Sequence, residues 1–224
     1  MTLVEAAVET LEEALAAKRA GADRIELCAN LGVGGTTPSI GLIASVVQQV
    51  NHPVFVMIRP RGGDFVYDAD EIDAMIEDID RARPLGIAGI VTGALRSDGS
   101  VDVESMRRLM SPAAGLPVTF HRAFDVVANR TEALEQVIDL GASRVLTSGG
   151  AATALDGAVA IAMLVDQAGE RVSIVAGGKI REQNARDVIA RTGVREVHAR
   201  LENEASMRGL VRLVVDQFRP PDVA

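Results

Sequence analysis

The chain alternates short, almost wholly apolar runs with longer segments whose apolar residues recur at helical spacing. LVEAAVE from Leu3, RIEL from Arg24, HPVFVMI from His52, GIVT from Gly89, LPVTFH from Leu116, RVLT from Arg144, RVSIVA from Arg171 and REVHA from Arg195 form the first kind. Such runs read as parallel strands buried on both faces. Four of them share an entrance. AGADRIEL at 20–27, LGIAGIVT at 85–92, LGASRVLT at 140–147 and RTGVREVH at 191–198 each read as a helix end, a Gly that caps it in the left-handed conformation, a short turn and a strand.

The segments between them predict helices. Thr10 with Glu13 and Asn129 with Glu132 have capping-box spacing, Ser39 caps SIGLIASVVQQV, and 70–83 places Ile72, Met75, Ile76 and Ile79 on one face before Pro84. Helices over 102–110, 154–168, 182–192 and 206–218 complete the series. Eight strands alternating with eight helices predict one domain over 1–224, a (β/α)8 barrel, with 219–224 as a short C-terminal tail. A doubly wound open sheet is the alternative, but VETLEEA after the first strand lacks the glycine-rich turn of that fold.

Composition narrows the function. A chain of 224 residues with 48% hydrophobic content can bury the core of one such domain. A net charge of −8 and a pI near 5.0 argue against a nucleic acid partner, which is held through clustered basic residues. Five of the six aromatic residues lie between Phe55 and Phe124, which suggests local packing or a pocket wall. The N-terminus lacks the basic flank and apolar core of a secretion signal, and no apolar run reaches the length of a membrane span. The expectation is a cytoplasmic protein with no membrane partner.

Polar groups recur where the strands end, the position at which a barrel presents its chemistry. VTFHRAFD at 118–125 brings together His121, Arg122 and Asp125, with His121 sharing a strand face with Thr119; Arg122 faces the other way unless the strand has ended. The catalytic candidates are Glu26, Arg59, His121 and Asp125, with His121 as proton carrier and Asp125 or Glu26 orienting its ring. Candidates for holding a phosphate or carboxylate are Glu5, Arg61, Arg122, Thr147, Ser148, Gly149, Gly177, Gly178 and His198. The TSGG turn at 147–150 and the AGGK turn at 176–179 would offer backbone N–H groups, and Lys179 a charge. Gly62 and Gly63 would let the RPRGGD loop move over a ligand, although Arg61 paired with Asp64 merely to order that loop is the alternative. Glu5, Glu26, His121 and His198 could instead take a metal ion. Aligning the Gly-entered strands sets Glu26 beside Val91 and Leu146, and Leu27 beside Thr92 and Thr147, so the inward face stays open.

ELCAN followed by GGTTPSIG, then IRPRGGDFVY, GIVTG, VTFHRAFD, RVLTSGG and VAGGKIR occur in the order seen in the CutC family, which the chain resembles from Glu5 to about Arg200. The family is named for copper homeostasis and is similar to TIM barrels. The resemblance implies a cytoplasmic homo-oligomer that handles copper, with Cys28 of the ELC motif as metal ligand. The other cysteines proposed to bind Cu(I) in relatives are absent, and Met57 is the best local companion for Cys28. Two functions follow: a copper-homeostasis protein, or a barrel enzyme acting on a small anionic metabolite.

Overall fold

The computed structural model describes residues 2–113 and 115–219. Eight parallel strands, β1 (Leu3–Val8), β2 (Arg24–Leu27), β3 (Val54–Met57), β4 (Gly89–Thr92), β5 (Val118–Phe120), β6 (Arg144–Thr147), β7 (Ser173–Ala176) and β8 (Glu196–Arg200), close into a barrel in sequence order. Helices α1 (Leu11–Ala20), α2 (Ile40–Val50), α3 (Ala69–Ala82), α4 (Val103–Met110), α5 (Arg130–Asp139), α6 (Ala158–Ala168), α7 (Glu182–Thr192) and α8 (Glu204–Phe218) follow the strands. This is the (β/α)8 fold that the alternation predicts. The tail expected over 219–224 lies, apart from Arg219, outside the described residues.

Local chemistry sets the element ends. Thr10, Ser39 and Asn129 accept from the backbone N–H three residues on, satisfying donors that a helix start leaves free. Gly21, Gly86, Gly141 and Gly193 all stand at φ between 71 and 89°, the left-handed turn that lets a helix end and the next strand begin. Two boundaries move from their expected places. The helix expected from Ala154 starts at Ala158, because Ala154 N–H donates to Gly178 O and a side chain on Gly157 would collide with Ser148 O. The last helix starts at Glu204, capped by Asn203.

The two strand faces carry different chemistry. Ile25, Leu27, Val56, Ile90, Phe120, Val145 and Val197 face outward and join the helices in one large apolar core. Cys28, Phe55, Met57 and Val91 form a separate cluster inside the barrel. Around that inner cluster the lumen is charged, where branched aliphatics are usual. Arg24 bonds Glu5 at 2.5 Å and Glu196 at 2.6 Å, and Ser173 Oγ donates to the other Glu196 oxygen at 2.7 Å. The guanidinium groups of Arg24 and Arg144 lie 5.0 and 4.1 Å from the Phe55 ring centroid, close enough for cation–π attraction. Alternation along each strand therefore sets Glu26, Val91 and Leu146 inward and Leu27, Thr92 and Thr147 outward.

Candidate functional site

A cavity of about 600 Å³ opens at the C-terminal end of the strands, within the usual range for a small-molecule site. Ala7, Leu31, Met57, Phe65, Val126 and Leu146 make it partly apolar, while Arg59, Arg122, Lys179, Arg181 and Arg200 outnumber Glu26 and Asp125. A groove of about 280 Å³ at the opposite end presents Glu170, Ser173 and Arg195. The mouth is the better candidate because buried titratable groups line it.

Closure of the barrel builds the deepest group. Pairing of β1 with β8 sets Glu5 beside His198, and His198 Nδ1 donates to Glu5 Oε1 at 2.8 Å. A carboxylate can only accept, so Nδ1 carries the proton. Glu26 Oε2 lies 3.7 Å from the same nitrogen and has no hydrogen-bond partner among the described residues. Burial raises the Glu26 carboxyl above its ordinary range; the charge on His198 pulls it back, and that on Glu5 adds to the rise. Burial works to raise Glu5 as well, but the hydrogen bond from His198 and the charge of Arg24 prevail and hold it at about 2. Burial works to lower His198, but the Glu26 charge and the Glu5 hydrogen bond outweigh it and lift the imidazole above its ordinary value.

Glu5 therefore lies beneath the mouth, committed to Arg24 and His198, and does not line the cavity. The ligating atoms of Glu5, Glu26 and His198 fall within 4.8 Å of one another, close enough for one cation. A cation held by Glu5 Oε1 and His198 Nδ1 together would displace the proton that lies between them. His121 is not part of that cluster.

His121 occupies another wall. Its strand ends at Phe120, so His121 and Arg122 both sit in the turn that follows, and both line the cavity. The His121 ring fits because position 93 is Gly: a Cβ there would stand 2.7 Å from Nδ1. Phe65 packs on the ring with centroids 4.9 Å apart. Ala123 N–H donates to Nδ1 at 3.3 Å, whereas Nε2 is buried with no partner among the described residues. Burial, followed by the charge of Arg59, lowers the imidazole to about 3. The ring is thus neutral, and neither Asp125 nor Glu26 orients it. Buried unpartnered polar atoms such as this one and Glu26 Oε2 each cost about 1–3 kcal/mol, which a ligand that bonds them would recover.

Asp125, expected to assist His121, faces β6. Its Oδ1 accepts from Thr147 Oγ1 at 2.6 Å, Ser148 N at 2.8 Å and Gly150 N at 3.1 Å; its Oδ2 accepts from Arg122 Nε at 2.7 Å and Ser148 Oγ at 3.0 Å. Gly149 and Gly150, at φ 71 and 74°, turn the backbone so that these N–H groups converge, as in a phosphate cradle. The TSGG turn expected to hold a substrate anion thus encloses a carboxylate of the chain itself. Gly177 packs on Leu146, and Gly178 lines the cavity beside Lys179.

The two arginines of the RPRGGD loop separate. Arg59 is buried and donates to Val33 O, Gly35 O and Gly63 O at 2.8–3.1 Å, fastening two loops over the mouth. Arg61 pairs with Asp64 at 2.9 Å and Glu71 at 2.5 Å and does not line the cavity. Arg181 and Arg200 were not among the sequence candidates; Arg200 follows His198 by two residues on β8, a spacing that signals the same face. Their partners are Glu202 and Glu9. Lys179, at φ 56°, makes no side-chain hydrogen bond or ion pair among the described residues. A non-Gly residue in that backbone region is uncommon and often functional.

Copper is tested by the chemistry of Cys28. Cu(I) prefers thiolate and thioether ligands. Cys28 Sγ and Met57 Cε each lie 3.3 Å from where a Cβ on Gly35 would stand, so the two soft side chains flank one point. The thiol is wholly buried, its S–H donates to Glu26 Oε1 at 3.4 Å, and burial with the Glu26 charge pushes its pKa up. Cu(I) at Cys28 would have to displace the S–H proton that Glu26 accepts, with Met57 beside it as a second soft side chain. No helix among the described residues is long and apolar enough to cross a membrane.

A model of the CutC family matches residues 2–203. A family protein CutC of Caulobacter vibrioides is 50% identical over 196 residues, 88% of this chain and 80% of that one. The human copper homeostasis protein cutC homolog is 47% identical over 208 residues, 92% of this chain and 76% of that one. The crystal structure of a putative copper homeostasis protein CutC from Streptococcus agalactiae superposes with a TM-score of 0.84 at 38% identity, covering 88% of this chain and 98% of that one. Thiamine phosphate pyrophosphorylase from Pyrococcus furiosus has a TM-score of 0.65 at 16% identity, covering 96% of each chain, which is likeness of fold alone.

Proposed function

The chain belongs to the CutC family, and from that premise we propose that it is an enzyme that binds a small anionic metabolite at the barrel mouth and moves a proton on it. The observation that carries this reading is the buried Glu5–His198–Glu26 group at the floor of a cavity in whose walls basic side chains outnumber acidic ones. Glu5 fixes the His198 tautomer and stabilises its charge, in the manner of a carboxylate behind a catalytic histidine. Burial raises the Glu26 carboxyl, so it holds a proton more readily than a free carboxylate, which suits a group that must take a proton and return it. Lys179 supplies a charge that is not spent on another side chain, and the apolar wall suits the carbon frame of the ligand.

Thermal unfolding in the presence of small carboxylates and phosphates tests the reading. At least one is expected to stabilise the protein, by about 2.7 kcal/mol at a hundredfold excess over its Kd. Lys179→Met is expected to diminish that stabilisation, while Glu26→Gln keeps it and abolishes turnover. A broad library with no stabilising anion rejects the proposal.

Copper homeostasis, the role carried in the names of relatives, does not on this reading require a Cu(I) site at Cys28. Titration with Cu(I) against a competing chelator is expected to give weak binding that Cys28→Ser leaves unchanged. Tight one-to-one binding lost in that variant would restore Cys28 as the ligand.

A further inference from the structure

Two of the buried atoms at the mouth that have no partner among the described residues, His121 Nε2 and Glu26 Oε2, differ in kind. His121 presents a donor. The Ala123 N–H occupies the lone pair of Nδ1, so a neutral ring must carry its proton on Nε2. Arg59 stands next to the ring through Phe65, which the guanidinium covers at 4.5 Å, and burial together with that positive charge opposes an imidazolium. Among the described residues no carboxylate is paired with the ring: Asp125 is enclosed by the β6 turn, and Glu26 lies with His198. His121 is therefore a fixed neutral N–H donor and not a proton carrier. Glu26 presents the opposite capability, a carboxyl oxygen, Oε2, that can accept a proton and has no hydrogen-bond partner among the described residues. Both residues line one cavity.

We propose that this site catalyses proton transfer at a carbon next to a carbonyl group of its anionic substrate, with His121 Nε2–H bonding the carbonyl oxygen and Glu26 carrying the proton. This inference rests on the acid–base reading above. In the first step the C–H bond breaks, its proton goes to Glu26 Oε2, and its electron pair forms a C=C bond as the carbonyl oxygen becomes an enolate. The His121 N–H strengthens its bond to that oxygen as charge develops there, which is how a preorganised donor lowers a barrier. A neutral imidazole can do this beside a carboxylate base without being consumed as an acid. In the second step Glu26 returns the proton to the same carbon, giving exchange; where that carbon bears a hydroxyl, the hydroxyl proton passes to the enolate oxygen, a new carbonyl forms there, and delivery of the carbon-bound proton to the former carbonyl carbon gives isomerisation. No oxidant, leaving group or metal is needed for the atoms and electrons to balance.

The experiment is proton–deuterium exchange in D2O, followed by ¹H NMR on the full chain with pyruvate, 2-oxobutyrate and dihydroxyacetone phosphate as probes, alongside their binding by thermal shift. The expected result is accelerated loss of the C–H signal next to the carbonyl in at least one probe. Glu26→Gln is expected to slow it by about 10²–10⁴-fold, the worth of a general base. His121→Ala is expected to slow it by about 10²–10³-fold, and His121→Gln, which keeps an N–H donor, to regain part of that loss. Without any substrate, ¹⁵N spectra are expected to show His121 as the neutral Nε2–H tautomer between pH 5 and 8. Binding of probes without exchange overturns this inference and leaves the anion-site reading intact; neither binding nor exchange overturns both. Exchange that survives Glu26→Gln, or an imidazolium signal for His121 at pH 6, also overturns it.

Discussion

Replacing Asp125 by alanine is expected to destabilise the protein by about 2–4 kcal/mol, because buried donors left without an acceptor cost about 1–3 kcal/mol each. The Asp125 side chain is 9% exposed, and its carboxylate is the common acceptor for two backbone N–H groups, two hydroxyls and Arg122. Alanine leaves the N–H of buried Ser148 and the hydroxyl of buried Thr147 without the acceptor that Asp125 supplies, whereas the exposed Gly150 N–H can turn to water. Two further results are expected. Asp125→Asn should regain roughly half of the loss, because its amide oxygen can still accept from the turn while its NH₂ confronts Arg122. Added formate should raise the stability of Asp125→Ala but not of the parent, since the vacated cradle is lined with donors for an anion. Urea unfolding measures all three, and a loss below about 1 kcal/mol for Asp125→Ala would contradict the clamp.

The second large effect lies deeper. Arg24→Met is expected to cost about 3–5 kcal/mol at pH 7, because it strands the buried Glu5 and Glu196 carboxylates that Arg24 bridges. Its pH dependence has a definite sign. In the parent, Glu5 titrates below its ordinary value of 4.5, so its contribution to stability is full above that pH and lost as pH falls towards about 2. Removing Arg24 takes away its charge and its hydrogen bond, and the effect of burial gains on the remaining contact with His198. The folded value of Glu5 rises, and with it the proton uptake of the native state. The penalty of Arg24→Met should therefore be largest at neutral and alkaline pH and shrink as pH falls towards 4.5. Glu5→Gln combined with Arg24→Met should cost less than the two single changes added together, because the double variant strands one buried carboxylate, Glu196, where Arg24→Met strands two. Melting temperatures across pH 4–9 decide the matter: a penalty that grows on acidification would refute the role given to Arg24.

These two residues also separate what was legible from what was not. The barrel was legible, because it depends on local and periodic signals. Apolar runs of strand length, amphipathic segments between them, and glycines at 21, 86, 141 and 193 each report a short-range requirement of the backbone, and the left-handed caps sit where the repeat places them. The region of the site was legible too, since strand ends in a barrel converge on one face, and Glu26, Arg59, His121, Arg122, Asp125, Gly178 and His198 all line the same cavity. The faces could be aligned from the glycines, yet the alignment set Glu26 beside Val91 and Leu146 and so seemed inconsistent. The structure resolves this: the lumen mixes charged and apolar residues, and the outward-facing Thr147 is a donor to Asp125.

What each polar side chain does was decided only by the tertiary structure. Glu5 and His198 are 193 positions apart and meet because the first and last strands close the barrel. Asp125 is four residues from His121 in the same turn after β5, but its carboxylate is bonded to the turn after β6, and Arg59 and Arg61, two residues apart, part company between a buried clamp and a surface ion pair. The sequence by itself determined where backbone could turn, coil and extend, because those preferences are local properties of a few residues. A carboxylate becomes a clamp, an ion-pair partner or a proton carrier according to the donors and charges within a few ångströms of it and the water kept from it, and only folding brings those together.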